Sequence, residues 1–177
     1  MSNLTNITGL STLGNVGDLA VPTSTQQYPL GMTVTIVDSD YLSIKEYIYM
    51  KSHTTLTAYQ PYVMTFGSTA GAEVVSIAPV TLAAPGALVV VPQVAFTSGY
   101  YGWFLMKGDG KVLMTSETYA VGDFLQVLTT GTFLVVDGST GSTVQLVNSS
   151  AICKEAGTTA VARKCLLLGY PAVVAAS

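Results

Sequence analysis

The stretch from Val74 to Met106 carries no charged residue, which raises the possibility of a membrane span, since about 18 apolar residues suffice for one. Its prolines exclude a helix. Pro79, Pro85 and Pro92, with Gly86 beside the second, would interrupt helical hydrogen bonding repeatedly, and each interior proline costs about 3 kcal/mol. The run therefore reads as short buried strands separated by turns. The rest of the chain has the same texture: 49% of its residues are hydrophobic and only 10% are charged, against about 25% in an ordinary soluble domain. Thr, Ser, Gly, Gln and Asn must cover the surface instead. That composition suits a subunit that lives inside an assembly better than a free monomer, which normally depends on interspersed charge for solubility.

At 177 residues the chain predicts one domain preceded by an arm, and it is long enough to build a core without metal or disulfide staples. Residues 1–28 are polar, with Leu4, Ile7 and Leu10 at irregular positions, and read as an extended or flexible N-terminal arm. Residues 29–177 read as a single β domain. Met32, Val34 and Ile36 alternate with Thr33 and Thr35, the period of a half-buried strand. Further strands are expected at Lys45 to Lys51, Tyr62 to Phe66, Glu73 to Ile77, Ala87 to Val91, Tyr101 to Lys107, Lys111 to Thr115, Phe124 to Leu128, Thr132 to Val136, Thr143 to Val147, Val161 to Leu168 and Ala172 to Val174. Many short β runs between Gly, Pro, Asp and Ser predict an antiparallel β-sandwich or a tulip-like β-barrel. Lys107-Gly108-Asp109-Gly110-Lys111 reads as a tight hairpin turn, placing Trp103 and Val112 on paired strands, and Asp137-Gly138 as a second turn. Glu117 to Leu128 is the best helical candidate, and Gly122 with its β-branched neighbours argues against it.

Both faces of the strand at Tyr101 are apolar. Tyr101, Trp103 and Leu105 alternate with Gly102, Phe104 and Met106, and Tyr47 and Tyr49 alternate with Ile48 and Met50. Either these strands are central in a thick core, or their second face meets another protein. Tyr47, Tyr49, Tyr100, Tyr101, Trp103 and Phe104 are accordingly the core or interface candidates.

Motifs for chemistry are thin. His53, the single histidine, lies after a strand, and no serine sits in a Gly-x-Ser-x-Gly elbow. Asp38 and Asp40 have turn spacing, where carboxylates bond local amides. Gly67 to Gly71 lacks the Lys-Ser/Thr that a phosphate loop requires. Tyr100, Tyr101 and Trp103 could line a sugar-binding platform, but no Asp, Asn or Arg lies beside them. Cys153 and Cys165 are too few and too far apart for a zinc site; a disulfide between them is possible and not required. The start of the chain shows no secretory signal, so synthesis in the cytoplasm with reduced thiols is expected, and the sequons at Asn3, Asn6 and Asn148 carry no glycosylation message. The net charge is −3, and the basic residues are scattered along the chain. Lys154, Arg163 and Lys164 come nearest to a patch, with Glu155 beside the first, and read as a solvated face. Neither nucleic acid nor membrane is expected as a partner. No catalytic residue, metal or cofactor is assigned.

Two segments resemble a known family. Tyr47-Ile48-Tyr49-Met50-Lys51, followed by Thr54-Thr55-Leu56-Thr57-Ala58 and Tyr59-Gln60-Pro61-Tyr62, is similar to the strand, small residues, turn and next strand that open the head decoration (cement) proteins of tailed bacteriophages. Val94 to Phe104, with its Gly99-Tyr100-Tyr101-Gly102-Trp103 run, resembles the family's Gly-x-Tyr-Gly-Trp strand entry, and Val121-Gly122-Asp123-Phe124 matches a later segment loosely. The likeness spans Gly31 to Tyr170. It implies a non-enzymatic β protein of the virion that docks on the capsid exterior through the major capsid protein, often as a homotrimer, and stabilises the shell. Other virion parts (fibre, tail or capsid lattice) and a carbohydrate-binding β-sandwich module are the alternatives.

Overall fold

The computed structural model describes residues 19–38, 43–66, 73–76, 87–127, 133–135, 150–169 and 171–172. Pro79, Pro85, Asp40, the Gly67 to Gly71 loop, the Asp137-Gly138 turn, the strand expected at Thr143 to Val147 and most of the arm lie outside them.

The protein is all β. Its strands are β1 (Thr33–Asp38), β2 (Ser43–Ser52), β3 (Tyr62–Phe66), β4 (Glu73–Ser76), β5 (Ala87–Val90), β6 (Tyr101–Leu113), β7 (Phe124–Val127), β8 (Phe133–Val135), β9 (Ala151–Cys153), β10 (Ala162–Leu167) and β11 (Pro171–Ala172). Hydrogen-bonded neighbours run in the order β11-β5-β3-β4-β2-β6-β10-β9-β7-β8, and β1 pairs with β2. Every pairing is antiparallel except β2 with β4. Among the described residues the only helical ones are Leu19 and Ala20.

One backbone bridge turns part of this order into a ring. Val91, just past β5, exchanges N–H···O bonds of 2.8 and 3.0 Å with Leu105 of β6. The strands β5, β3, β4, β2 and β6 therefore close into a small barrel. The barrel's filling is the cluster of Ile48, Met50, Leu56, Tyr62, Met64, Val90, Phe96 and Phe104, all buried. The two-period alternation then forces Tyr49 and Trp103 outward, where a second cluster covers them: Val34 and Ile36 of β1, with Leu19, Tyr28, Leu30 and Met32. A third cluster, including Leu105, Val112, Met114, Tyr119, Leu125 and Leu167, lies where the β10-β9-β7 extension packs back on β6. The two apolar faces of β2 and β6 are thus both satisfied within one chain.

The expected hairpin at Lys107 to Lys111 does not form. β6 runs unbroken for 13 residues through Asp109 and Gly110, so Trp103 and Val112 lie on one strand. Its first half pairs with β2 and its second half with β10. Gly108 absorbs the change of partner with a φ of 99°. A Cβ there would sit 2.2 Å from the Ile44 carbonyl oxygen, so glycine is required by contact as well as by conformation. The Asp109 carboxylate, which the sequence offers as a turn former, instead pairs with Lys154 on a distant segment.

Candidate functional site

The aromatic residues singled out from sequence do not assemble into one surface. Tyr49 and Trp103 face each other in register on β2 and β6, with ring centroids 5.1 Å apart and edge to face. Tyr28, from the segment preceding β1, packs against both at 5.2 and 5.3 Å. Both rings are buried, and the Tyr49 hydroxyl accepts the backbone N–H of Gln27. Phe104 points the opposite way, into the barrel, stacked on Phe96 at 4.5 Å. Tyr47, Tyr100 and Tyr101 are half-buried around these clusters, and the Lys51 ammonium lies over the Tyr101 ring. Trp103 is 2% exposed, so the sugar platform considered from sequence does not form around it. Beneath the N-terminal segment a cavity of about 340 Å³ remains, lined by Val21, Thr23, Gln27, Tyr28, Tyr49 and Trp103. The Trp103 indole N–H is buried without a partner.

The other candidates stand apart. His53 is exposed in the turn after β2, where Ser98 donates a hydrogen bond to its carbonyl. Cys153 and Cys165 face each other in register on β9 and β10 as free, fully buried thiols. Burial, reinforced by the neighbouring Cys153, pushes the Cys165 thiol well above its ordinary range. Among the described residues no group of three His, Cys, Asp or Glu could hold a metal ion, and no helix is long and apolar enough to cross a membrane.

A basic cluster extends the Lys154 and Lys164 pair noted in the sequence. The register of β6 and β10 sets Lys111 directly opposite Lys164, and the Lys154 N–H bonds the Lys164 carbonyl at 2.9 Å. The three lysines therefore form a row across neighbouring strands, which are spaced by about 4.8 Å. Lys45, from the start of β2, joins them around a cavity of about 340 Å³ whose remaining lining is Tyr59, Gln93, Asp109, Gly110 and Cys165. Four of the chain's seven basic residues thus line one hollow; Lys111, Lys154 and Lys164 stay exposed, as the solvated face expected from sequence requires, whereas Arg163 is buried and donates to the Ala156 carbonyl. Two carboxylates reach the row: Asp109 pairs with the Lys154 ammonium at 2.7 Å, and Glu155 accepts the Lys164 backbone N–H at 3.2 Å. Lys111 is braced on two sides. The Gln93 amide accepts its N–H at 2.9 Å and donates to its carbonyl at 3.1 Å, while its ammonium lies 5.7 Å from the centre of the Tyr59 ring. Tyr59 is held at a φ of 67°, the left-handed region, by bonds from its N–H to Pro92 and to its carbonyl from Leu113. No local motif could have revealed the cluster, because only strand register brings residues 45, 111, 154 and 164 together.

No known family's model matches the chain, and no characterised protein's sequence matches it. Among solved structures, the chain is similar to the N base of the head fibre gp8.5 of bacteriophage phi29, at 14% identity and a TM-score of 0.48, over 71% of this chain and 95% of that one.

Proposed function

We propose that this chain is a structural protein of a phage virion that binds the outer face of the capsid shell and reinforces it. The observation that carries the reading is a cross-strand pair of exposed apolar residues on a charge-poor surface. Val37 of β1 and Ile44 of β2 are register partners, and they stay 40% and 60% exposed at the end of the ribbon where β1 leads into β2. Val121, Phe124 and Val161 are further exposed apolar side chains. A chain with 10% charged residues that also leaves cross-strand apolar neighbours in water is suited to association with protein. The family resemblance of the Tyr47 to Tyr62 and Val94 to Phe104 segments points the same way, towards a decoration protein that docks on the major capsid protein as a trimer. Since Tyr49, Trp103 and Phe104 belong to the core, the docking face falls to residues such as Val37 and Ile44. Many copies on one shell would supply avidity, so a modest apolar contact is sufficient.

Co-sedimentation tests this reading. The purified protein, mixed with capsids of its own phage that lack it, is expected to travel with the shells to a saturating copy number. Val37→Asp with Ile44→Asp should remain folded by circular dichroism and stay at the top of the gradient. Protein that never travels with shells defeats the proposal. Binding restricted to fivefold vertices or tails would favour a fibre or tail component instead.

A further inference from the structure

We propose that Cys153 and Cys165 are a redox modification site: an oxidant closes a disulfide between them that staples β9 to β10. The pairing geometry carries the inference. The two cysteines are direct register partners on antiparallel strands, so their side chains stand on the same face of the sheet. Positions along such a pair alternate between those that exchange N–H···O bonds and those that do not, and the second kind brings the Cα atoms closer, to about 4.5 Å. Bonded positions flank the cysteines on both sides. The Lys154 N–H donates to the Lys164 carbonyl at 2.9 Å, and the Leu168 N–H donates to the Ser150 carbonyl at 3.0 Å. Cys153 itself turns its backbone away from β10: its N–H donates to the Asp123 carbonyl and its carbonyl accepts the Gly122 N–H, both at 2.8 Å. The cysteines therefore occupy a non-hydrogen-bonded position, the kind in which opposed side chains stand closest. A Cα separation of about 4.5 Å lies inside the span of roughly 4.4–6.8 Å that disulfides adopt, so the bond forms without moving either strand.

Both thiols are free and fully buried in one cluster, and burial sets the tempo of the reaction. An oxidant reaches them only through local opening. β9 is three residues long, and the segment that leaves it is exposed at Lys154, Glu155 and Ala156, so opening at this end admits a small reagent without loss of the barrel. With a small disulfide as oxidant the step balances. One cysteine thiolate attacks it, forming a mixed disulfide and releasing one small thiol; the second cysteine attacks the mixed disulfide, forming the Cys153–Cys165 bond and releasing the other. The protein gives up two electrons and two protons, and the small disulfide takes up both. A reducing compartment keeps the pair as thiols, and an oxidising one closes it. The bond ties the β9, β7 and β8 extension covalently to β10, which is itself paired with β6. This inference does not depend on the protein's place in a virion.

The full chain, purified under reductant, desalted and incubated folded with 2-hydroxyethyl disulfide, tests the proposal. The expected product is a monomer lighter by two hydrogens, with neither thiol left for maleimide after unfolding, and a peptide map joining Cys153 to Cys165. These are the chain's two cysteines, so the product is unambiguous. Closing the loop of residues 153–165 should raise the melting temperature by roughly 5–10 °C, and dithiothreitol added to the unfolded protein should restore both thiols. Cys153→Ala and Cys165→Ala should each lose the mass change and the rise in melting temperature. The parent chain's mass and peptide map decide the matter even if those variants fail to fold. Thiols that stay titratable after prolonged exposure, mixed disulfides that persist on both cysteines, disulfide-linked dimers as the main product, or a bond that leaves the melting temperature unchanged or lower would overturn the proposal.

Discussion

Replacing Trp103 with alanine separates a core role from an interface role in the isolated protein. The side chain is 2% exposed and touches the rings of Tyr28 and Tyr49. A buried tryptophan removes about 150–250 Å² from water, worth about 4–6 kcal/mol at 25 cal/mol/Å². Alanine keeps about 1 kcal/mol of that, the lost ring contacts add about 1–2 kcal/mol, and relief of the unpartnered indole N–H returns about 1–2 kcal/mol. The net expectation for Trp103→Ala is a loss of about 3–5 kcal/mol. Trp103→Phe keeps a ring against Tyr28 and Tyr49 without the N–H and should cost under about 2 kcal/mol. Since Trp103 is the single tryptophan, tryptophan fluorescence cannot follow the variants, and urea unfolding by far-ultraviolet circular dichroism is the assay. The difference in midpoint between variant and parent should not depend on protein concentration. A loss below about 1 kcal/mol, or one that vanishes on dilution, would refute the packing of the N-terminal segment on β2 and β6.

Gly108→Ala should cost more than about 2 kcal/mol, because a Cβ at φ 99° meets the Ile44 carbonyl, whereas Gly99→Ala, at φ 81° in open space, should cost only about 1–2 kcal/mol; urea midpoints compare the two. The Cys165 thiol is raised in the folded protein, so its share of stability is complete below about pH 8.5 and is lost as pH rises above the unfolded thiol's range. Thermal melts should therefore fall between about pH 8.5 and 10, less steeply in Cys165→Ala; an identical slope in both would contradict the assignment. The Lys154–Asp109 pair has side chains 46% and 12% exposed, so solvent screening holds its coupling to about 1 kcal/mol or less in a double-mutant cycle, and a larger value would show a drier pair than the structure contains.

The β class was legible because period-two alternation survives in Met32 to Ile36 and because Tyr47 to Met50 is a short aromatic and aliphatic run, and those residues do form or border β1 and β2. β9 escaped notice because three residues, Ala151–Cys153, carry no period of their own. The Asp109-Gly110 dipeptide misled for a physical reason. Its turn preference is local, while the forces that straighten it come from far along the chain: the Lys154 ammonium holds Asp109, and Gly110 admits the Leu105 side chain where a Cβ would lie 2.2 Å away. The two apolar faces of β6 were equally consistent with a core or an interface, and barrel closure through Val91 and Leu105 decides for the core. The lysine row was invisible for a related reason: charges spaced tens of residues apart become neighbours only once β6, β9 and β10 are in register.

The most direct test of the proposed role is a cryo-EM map of virus particles from the cells in which this chain is made. A capsid-binding protein would give β-rich density for many copies standing on the outer face of the shell, with the Val37 and Ile44 end of β1 and β2 turned towards the capsid protein. Density only within the tail or the shell lattice, or copies seated with that end facing solvent, would contradict it.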